Sequence, residues 1–333
     1  MRYALWNNKG GVGKTFLSFI LGTELSKRRQ KPVVLVDMCP QANLSEIVLG
    51  GNGEGSKRLD GLIKQRKTIG GYFDSRIASP HAISGKEADY LIRANTFNKN
   101  VDSSLFLIAG DPCLEVQAQV INQIGGQTLP VEAWKNVRSW LRDIINECEK
   151  KFSPQEVMFI IDCNPSFSAY TELSMIAAER LIVPCSSDGS SARAMDNVGN
   201  LLYGIVSAGN STAIFSQKAA QFNLDLPQIH TVLLNRSTQY SQKSSKAFGA
   251  MFGEIKSRTN ALCKVAPKRF TDGKPKFEDM PDSHSVAIVC SHQGKPLYDL
   301  KPGKYTVHSE TPQVNDEPLQ RYKDSVDALL ALL

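Results

Sequence analysis

The sequence predicts an α/β protein with a doubly wound, mainly parallel sheet and helices on both of its faces. Short apolar runs of the kind that form buried strands recur along the chain, and helical periodicity fills the stretches between them. A glycine-rich loop joins the first run to the first helical stretch. In such folds, ligands bind at the carboxyl ends of the strands. The runs predicted as strands are Ala4–Trp6, Val33–Val36, Leu105–Ile108, Val157–Ile161, Leu181–Val183 and His230–Leu234.

The composition is that of a globular protein, and the length suits one large domain or two modest ones. The chain has 333 residues, of which 41% are hydrophobic and 22% are charged, and its net charge is +6. We predict a single domain over residues 1–333, with helical and loop insertions at about residues 50–104 and 237–282. The seven cysteines are scattered and include no C-x-x-C pair. This pattern favours a reducing cytoplasm over a disulfide scaffold or a zinc site.

The loop after the first strand has the pattern of a phosphate-binding loop. Residues 9–15 read Lys-Gly-Gly-Val-Gly-Lys-Thr between a strand and a helix. The glycines let backbone N–H groups point inward, and the helix N-terminus adds its positive end. Lys14 is predicted to contact the β- and γ-phosphates, and the Thr15 hydroxyl to hold Mg²⁺. The nucleotide-binding residues predicted here are Lys9, Gly10, Gly11, Val12, Gly13, Lys14, Thr15 and Phe16.

A second polar block follows the second predicted strand. Residues 37–43 read Asp-Met-Cys-Pro-Gln-Ala-Asn, about twenty residues after the phosphate loop. An aspartate at a strand end that faces such a loop can orient the attacking water or contact the Mg²⁺ shell. Asp and Pro are also ordinary turn residues, but the distance from the loop favours a site role for Asp37.

A third block follows the predicted strand Val157–Ile161. Residues 162–165 read Asp-Cys-Asn-Pro, and an apolar strand followed by Asp is the Walker B pattern. Because Mg²⁺ keeps most of its waters, Asp162 is predicted to hold the ion through a water molecule. This pattern is weak by itself, and its value comes from its order and spacing relative to the other two blocks.

The three blocks together resemble the ParA/MinD superfamily of deviant Walker A ATPases. Lys9 stands at the front of the loop, and Asn8 occupies the place where the standard loop has a glycine. The resemblance implies that ATP and Mg²⁺ are the cofactors and that Lys9 reaches the nucleotide of a partner subunit in an ATP-bound homodimer. It also implies catalytic roles for Lys9, Lys14 and Asp37, so hydrolysis would depend on dimerisation. One departure is Asn164, where the family usually has a first proline.

The end of the sixth predicted strand resembles the part of the family that contacts adenine. Asn235 and Arg236 follow the apolar run and are predicted to bind nucleotide, with Asn235 on the base. A strand-end cap is the alternative role for Asn235. Gly110 and Asp111, after the third strand, resemble a family turn that we interpret as structural.

Basic residues are concentrated between residues 243 and 276. Nine lysines and arginines stand there against two acidic residues, a pattern that fits sequence-independent binding to DNA phosphates. A solvated basic face is the alternative. The predicted DNA contacts are Lys243, Lys246, Lys256, Arg258, Lys264, Lys268 and Arg269.

The function implied by the resemblance is partition or positioning of plasmid or chromosomal DNA. Such an ATPase is cytoplasmic and nucleoid-associated, and a ParB-like or adaptor protein stimulates its hydrolysis. The alternatives are a membrane-cycling ATPase like MinD, a ParA-like ATPase with a non-DNA cargo, and a metallocluster ATPase. Membrane binding requires a basic amphipathic C-terminal helix. The predicted helix over Pro318 to Leu333 carries Asp324 and Asp327 and fits packing on the core better.

Overall fold

The structure is a computed structural model. It describes residues 1–186, 193–205, 213–237, 239–240, 243–244 and 246–333, and the side chains of residues 236–248 lie outside this description. The strands are β1 Arg2–Leu5, β2 Val33–Met38, β3 Ile92–Arg93, β4 Leu105–Ile108, β5 Met158–Cys163, β6 Arg180–Ser186, β7 Gln228–Ser237, β8 Gln239–Tyr240, β9 Lys243–Ser244, β10 Phe277–Pro281, β11 Gly303–Lys304 and β12 Gln313–Val314.

Helices cover most of the remaining described chain. They are α1 Lys14–Arg29, α2 Asn43–Val48, α3 Glu54–Lys64, α4 Ile69–Ala78, α5 Leu114–Gly125, α6 Ala133–Arg138, α7 Trp140–Phe152, α8 Ala169–Ala177, α9 Ala194–Asn197, α10 Ile214–Gln221, α11 Lys246–Val265, α12 His284–Gln293 and α13 Asp316–Ala331.

Eight strands form one sheet in the order β10-β7-β6-β1-β5-β2-β4-β3. Every neighbouring pair is parallel except β3 and β4, which are antiparallel at one edge. The predicted fold class is therefore confirmed, and each of the six predicted strands is present. The sequence did not predict β10, which lies inside residues 237–282. Its sequence, Phe-Glu-Asp-Met-Pro, includes two acidic residues, which an edge strand tolerates because it is only partly buried.

Two hydrophobic cores cover the two faces of the sheet. Successive side chains of a strand point to opposite faces, so Val34 and Val36 lie in one core while Val33 and Leu35 lie in the other. Helices α4 to α11 contribute to the first core, and α1, α2, α3, α12 and α13 contribute to the second. Burial on both faces explains why the strands read as continuous apolar runs.

The C-terminal helix packs on the second core, as the sequence predicted. The residues of α13 that are buried there are Leu319, Tyr322, Val326, Leu329 and Leu330. Among the described residues, no helix combines the length and the apolar character that crossing a bilayer requires. The apolar stripe of α13 is thus explained by packing within the chain.

Candidate nucleotide site

The phosphate loop connects β1 to α1 at the carboxyl edge of the sheet. Gly11 and Gly13 have φ angles of 75° and 87°, in the left-handed region that glycine adopts without strain. Helix α1 begins directly after Gly13, at Lys14. The loop and the start of the helix therefore combine curled backbone with a positive helix end, which is the arrangement that binds phosphate.

Lys14 lies beneath the loop with only 6% of its surface exposed. Its Nζ donates hydrogen bonds to the carbonyl oxygens of Lys9 at 2.9 Å and Asn7 at 3.2 Å. Burial lowers the pKa of Lys14, and the nearby carboxylate of Asp162 opposes this shift. The loop thus holds a desolvated cation at the position predicted to meet the β- and γ-phosphates.

Lys9 lies over the end of β6. Its Nζ donates to the Ser186 hydroxyl at 3.3 Å, and its backbone N–H donates to the Asn7 side-chain oxygen at 3.0 Å. Asn7 is fully buried and its Nδ2 donates to the Pro184 carbonyl at 2.7 Å. The sequence analysis missed Asn7 because its partner lies 177 residues away along the chain. The predicted role of Lys9 across a dimer interface stays a prediction.

Asp37 and Asp162 stand at paired positions on β2 and β5, and both are fully buried. Burial raises the pKa of Asp37. The pKa of Asp162 is raised by burial and by the charge of Asp37, while the nearby Thr15 and Ser18 hydroxyls and the charge of Lys14 lower it. Within the described chain, Oδ2 of Asp162 is a buried oxygen with no hydrogen-bond partner.

Oδ2 of Asp162 is suited to bind a divalent cation. Oxygen ligands and water are what Mg²⁺ requires, and Thr15 and Asp162 would supply them beside the phosphate loop. The fit is weaker for Asp37, because its Oδ1 accepts the Cys39 N–H at 3.1 Å and its Oδ2 accepts two bonds from Ser45. The predicted roles of Asp37 in hydrolysis and at the metal stay predictions.

A cleft of about 530 Å³ opens beside the loop. Its walls come from the phosphate loop, the segment after β2, the start of α2 and the segment after β5. The lining residues are Gly11, Gly13, Lys14, Thr15, Phe16, Cys39, Gln41, Asn43, Glu46, Ile47, Asn52, Cys163, Asn164, Pro165 and Ser291. The cleft thus joins the three blocks that the sequence singled out, and it adds Glu46, Asn52 and Ser291, which no local sequence pattern indicates.

Asn235 lies on the other side of the loop and lines a small cavity with Gly13 and Phe16. Its Nδ2 donates to the Val12 carbonyl at 2.8 Å, which leaves its side-chain oxygen as a hydrogen-bond acceptor. The Phe16 ring stacks on Tyr322 of α13, with ring centroids 6.2 Å apart. The side chain of Arg236, which was also predicted to bind nucleotide, lies outside the described residues.

The predicted DNA-binding residues divide into three groups. Lys256, Lys264 and Lys268 are exposed. Arg258 forms ion pairs with Asp196 and Glu254, and the Arg269 guanidinium lies 5.0 Å from the centre of the Tyr203 ring. The side chains of Lys243 and Lys246 lie outside the described residues.

Lys256 also contacts two aromatic rings. Its Nζ lies 4.4 Å from the centre of the Phe252 ring and 5.5 Å from that of Phe277. Helix α11 is thereby held against the first residue of β10. Its inner face, with Ile255 and Cys263, packs in the first core.

The described residues include no group of three or more His, Cys, Asp or Glu side chains arranged to hold a metal ion. All seven cysteines are free thiols, and five of them are buried.

A protein-family model described as an AAA domain, AAA_31, matches residues 2–212, and the chain belongs to this family. The matched region contains the phosphate loop, Asp37 and Asp162. Together with the site, the match defines the class of the protein as a ParA-like P-loop ATPase. The resemblance to the ParA/MinD superfamily is confirmed.

Solved structures share the fold over 77% to 100% of this chain. Apo McdA from Cyanothece is 17% identical, with a TM-score of 0.60 and 98% of each chain covered. A plasmid partition protein from Borrelia burgdorferi, bound to AMPPNP, is 16% identical, with a TM-score of 0.54 and 100% and 99% of the two chains covered. Cobyrinic acid a,c-diamide synthase from Mycobacterium smegmatis, with an ATP analogue and magnesium, is 18% identical, with a TM-score of 0.53 and 77% and 82% covered.

A curated relative is the uncharacterised protein MJECL24 of Methanocaldococcus jannaschii. It is 27% identical over 183 residues, which are 54% of this chain and 56% of that protein. The chain therefore matches little more than half the length of this relative.

Proposed function

We propose that the chain is a Mg²⁺-dependent ATPase that dimerises on ATP, binds DNA non-specifically and partitions or positions a plasmid or chromosomal cargo. A ParB-like or adaptor protein would stimulate hydrolysis. The observation that carries the proposal is the pair of lysines at the loop. Lys14 is buried beneath the loop and donates to the Lys9 carbonyl, whereas the side chain of the half-buried Lys9 extends to the end of β6.

The different positions of the two lysines support a role for Lys9 at the nucleotide of a partner subunit. A cation added to the phosphates from a partner subunit stabilises the charge that develops during phosphoryl transfer, as an arginine finger does. Lys9 stands at the carboxyl edge of the sheet beside the cleft, where the nucleotide of a second copy could meet it. Hydrolysis would then require the dimer.

Asn235 supports a preference for ATP over GTP. Because its Nδ2 is engaged by the Val12 carbonyl, its oxygen can accept a hydrogen bond from a base. The exocyclic amino group of adenine is a donor, whereas the corresponding guanine group is an acceptor. Bound Mg²⁺ would neutralise charge on the phosphates, with Thr15 and Asp162 as the residues that hold it.

The exposed lysines on and after α11 support DNA binding. Lys256 and Lys264 are eight residues apart on one helix, and Lys268 follows the helix end. Lysines that contact phosphates give affinity without sequence preference and release counterions on binding. Arg258 is the weakest candidate, because Asp196 and Glu254 already neutralise its charge.

The test is binding to random-sequence duplex DNA with ATP, with ADP and without nucleotide, over a salt series. We expect binding with ATP only, with an affinity that falls steeply as salt rises. The Lys256→Glu/Lys264→Glu variant should bind more weakly with a shallower slope, by about 0.9 for each phosphate that the protein no longer neutralises. Lys57→Glu, on α3 and therefore over the opposite face of the sheet, is the matched control. Absence of binding in every state would reject the DNA cargo and favour another cargo.

A further inference from the structure

We propose that Ser45 is a positioning residue for ATP turnover and acts through Asp37. Ser45 belongs to α2 and is fully buried. Its backbone N–H and its hydroxyl both donate to Oδ2 of Asp37, at 2.9 Å and 2.7 Å. The inference rests on the proposed ATPase function, since Ser45 can affect turnover only if the chain hydrolyses ATP.

The Ser45 hydroxyl also accepts a hydrogen bond. The backbone N–H of Gly110 donates to its oxygen at 2.8 Å. One hydroxyl therefore joins the end of β2, the start of α2 and the turn after β4. A hydroxyl can both donate and accept, so an alanine or a valine cannot make this connection.

Gly110 packs directly against the Asp37 carboxylate. A Cβ at this position would lie 2.9 Å from Cγ of Asp37 and 2.9 Å from Cβ of Ala42. Real Cβ contacts are essentially never so short, and these neighbours are buried. Gly110 and Asp37 are therefore in close contact, and the carboxylate has no room to rotate toward the turn after β4.

The Asp37 carboxylate accepts hydrogen bonds at both ends of residues 39–44, the segment that forms one wall of the cleft. Oδ1 of Asp37 accepts the N–H of Cys39 at the beginning of this segment, and Oδ2 accepts Ser45 just beyond its end. Cys39 itself lines the cleft, as do Gln41 and Asn43 between the two anchors.

The segment contains a strained residue, Ala42. Its φ is 49°, in the left-handed region that is unfavourable for a residue with a Cβ. Loss of the Ser45 hydroxyl would leave the buried N–H of Gly110 without its acceptor and remove one donor from Asp37. The cleft wall would then be free to move, and a displacement of about 1 Å can lower a rate by about 100-fold.

The variants that test this inference are Ser45→Ala, Ser45→Thr and Ser26→Ala. Ser45→Thr keeps the hydroxyl. Ser26 is a matched control, because it is fully buried and its hydroxyl donates to the Thr23 carbonyl at 2.9 Å within α1. For each variant we would measure ATP turnover, ATP affinity and the rate at which iodoacetamide alkylates Cys39. Peptide mass spectrometry would give that rate relative to the exposed Cys113 of the same chain.

We expect Ser45→Ala to lower kcat by about 10- to 100-fold, with ATP affinity within about threefold of the wild type. Alkylation of Cys39 should be several-fold faster, and Ser45→Thr should restore both readouts. Wild-type turnover and labelling in Ser45→Ala would overturn the inference, as would a Ser45→Thr variant as slow as Ser45→Ala. If the wild type itself hydrolyses no ATP, the proposed function fails, and Cys39 labelling alone decides whether Ser45 holds the cleft wall.

Discussion

Asp37 and Asp162 occupy paired positions on the neighbouring parallel strands β2 and β5, both fully buried beside the phosphate loop. Two carboxylates in such a place repel each other, and this repulsion adds to burial in raising the pKa of Asp162. Lys14 is the cation that partly offsets it. Ser45 and Cys39 satisfy Asp37, whereas one oxygen of Asp162 has no partner in the described chain. The two acids therefore differ in their hydrogen bonding: both oxygens of Asp37 accept bonds within the chain, whereas Oδ2 of Asp162 accepts none from the described residues.

Replacing Lys14 by Ala should abolish ATP binding. The variant loses the buried cation beneath the loop, and we expect affinity to fall at least 100-fold, about 2.7 kcal/mol. Equilibrium binding of a fluorescent ATP analogue measures this. Lys27→Ala, an exposed lysine near the end of the same helix, should bind normally. Normal ATP binding by Lys14→Ala would reject the phosphate-loop assignment.

Replacing Lys9 by Ala should spare ATP binding by the monomer and remove ATP-driven dimerisation and hydrolysis. A cation supplied in trans is worth on the order of 10³–10⁵ in rate, so turnover should fall by at least about 10³-fold. Phosphate release and sedimentation in the presence of ATP check the two effects. The control is Ser186→Ala, which removes the hydrogen bond that the Lys9 side chain donates to Ser186 of its own chain. A Lys9→Ala dimer that hydrolyses at the wild-type rate would contradict the trans role.

Asp37→Ala should bind ATP and form the dimer, but turn over at least about 100-fold more slowly. The substitution removes the acceptor of the Cys39 and Ser45 donors and so disturbs the cleft wall. Asp37→Asn, which has nearly the same shape, separates the effect of charge from that of space. Rapid phosphate release by either variant would remove the Asp37 carboxylate from the mechanism.

Ala42→Gly should leave stability unchanged or raise it by up to about 1 kcal/mol, because glycine adopts a positive φ without strain. Ala219→Gly is the matched comparison, since Ala219 is equally buried but lies inside α10. There, glycine should cost about 1 kcal/mol. Urea unfolding of both variants gives the difference, and equal destabilisation by the two substitutions would show that Ala42 is unstrained.

Acid should destabilise the fold partly through His230. Its Nε2 lies 2.7 Å from the Leu332 carbonyl and its Nδ1 lies 3.3 Å from the Thr271 hydroxyl, and burial lowers its pKa. The native state thus binds fewer protons than the unfolded chain below the ordinary value of about 6.5. Stability should fall as pH drops from 6.5 toward the lowered native pKa, by at most about 1.4 kcal/mol per pH unit.

The measurement is urea unfolding between pH 7.5 and pH 5. His230→Gln should be less stable at pH 7.5 but should show a shallower decline with acid. His81→Gln, an exposed histidine, should behave as the wild type. Identical slopes for the His230→Gln variant and the wild type would show that His230 does not contribute to the acid dependence.

The sequence predicted the central strands because both faces of a parallel sheet are buried. That burial requires runs such as Val33–Val36, which are apolar without alternation. The sequence did not predict strand β10, because this strand lies at the sheet edge and has no continuous apolar run. Its residues Glu278 and Asp279 are only partly buried. Its place beside β7 depends on a pairing between segments more than forty residues apart, for which the local sequence gives no sign.

Local sequence patterns predicted the phosphate loop but not the buried residues that support the site. The phosphate loop is contiguous, so its glycines and lysines stand together in the sequence. Ser45, Asn7 and Gly110 support functional side chains through contacts with distant segments, as in the Gly110 N–H bond to Ser45, 65 residues away. A buried serine in a helix has many ordinary uses, and only the folded chain shows that this one holds Asp37.

The most direct test of an ATP-driven switch is the oligomeric state by sedimentation velocity with Mg²⁺ and ATP, with Mg²⁺ and ADP, and without nucleotide. Lys14→Ala, measured in parallel, reports any association that is independent of nucleotide. We predict a dimer for the wild type with ATP and a monomer in the other two conditions, with Lys14→Ala monomeric throughout. A wild-type monomer in all three conditions, or a dimer that forms equally with ATP, with ADP and without nucleotide, would contradict ATP-driven dimerisation.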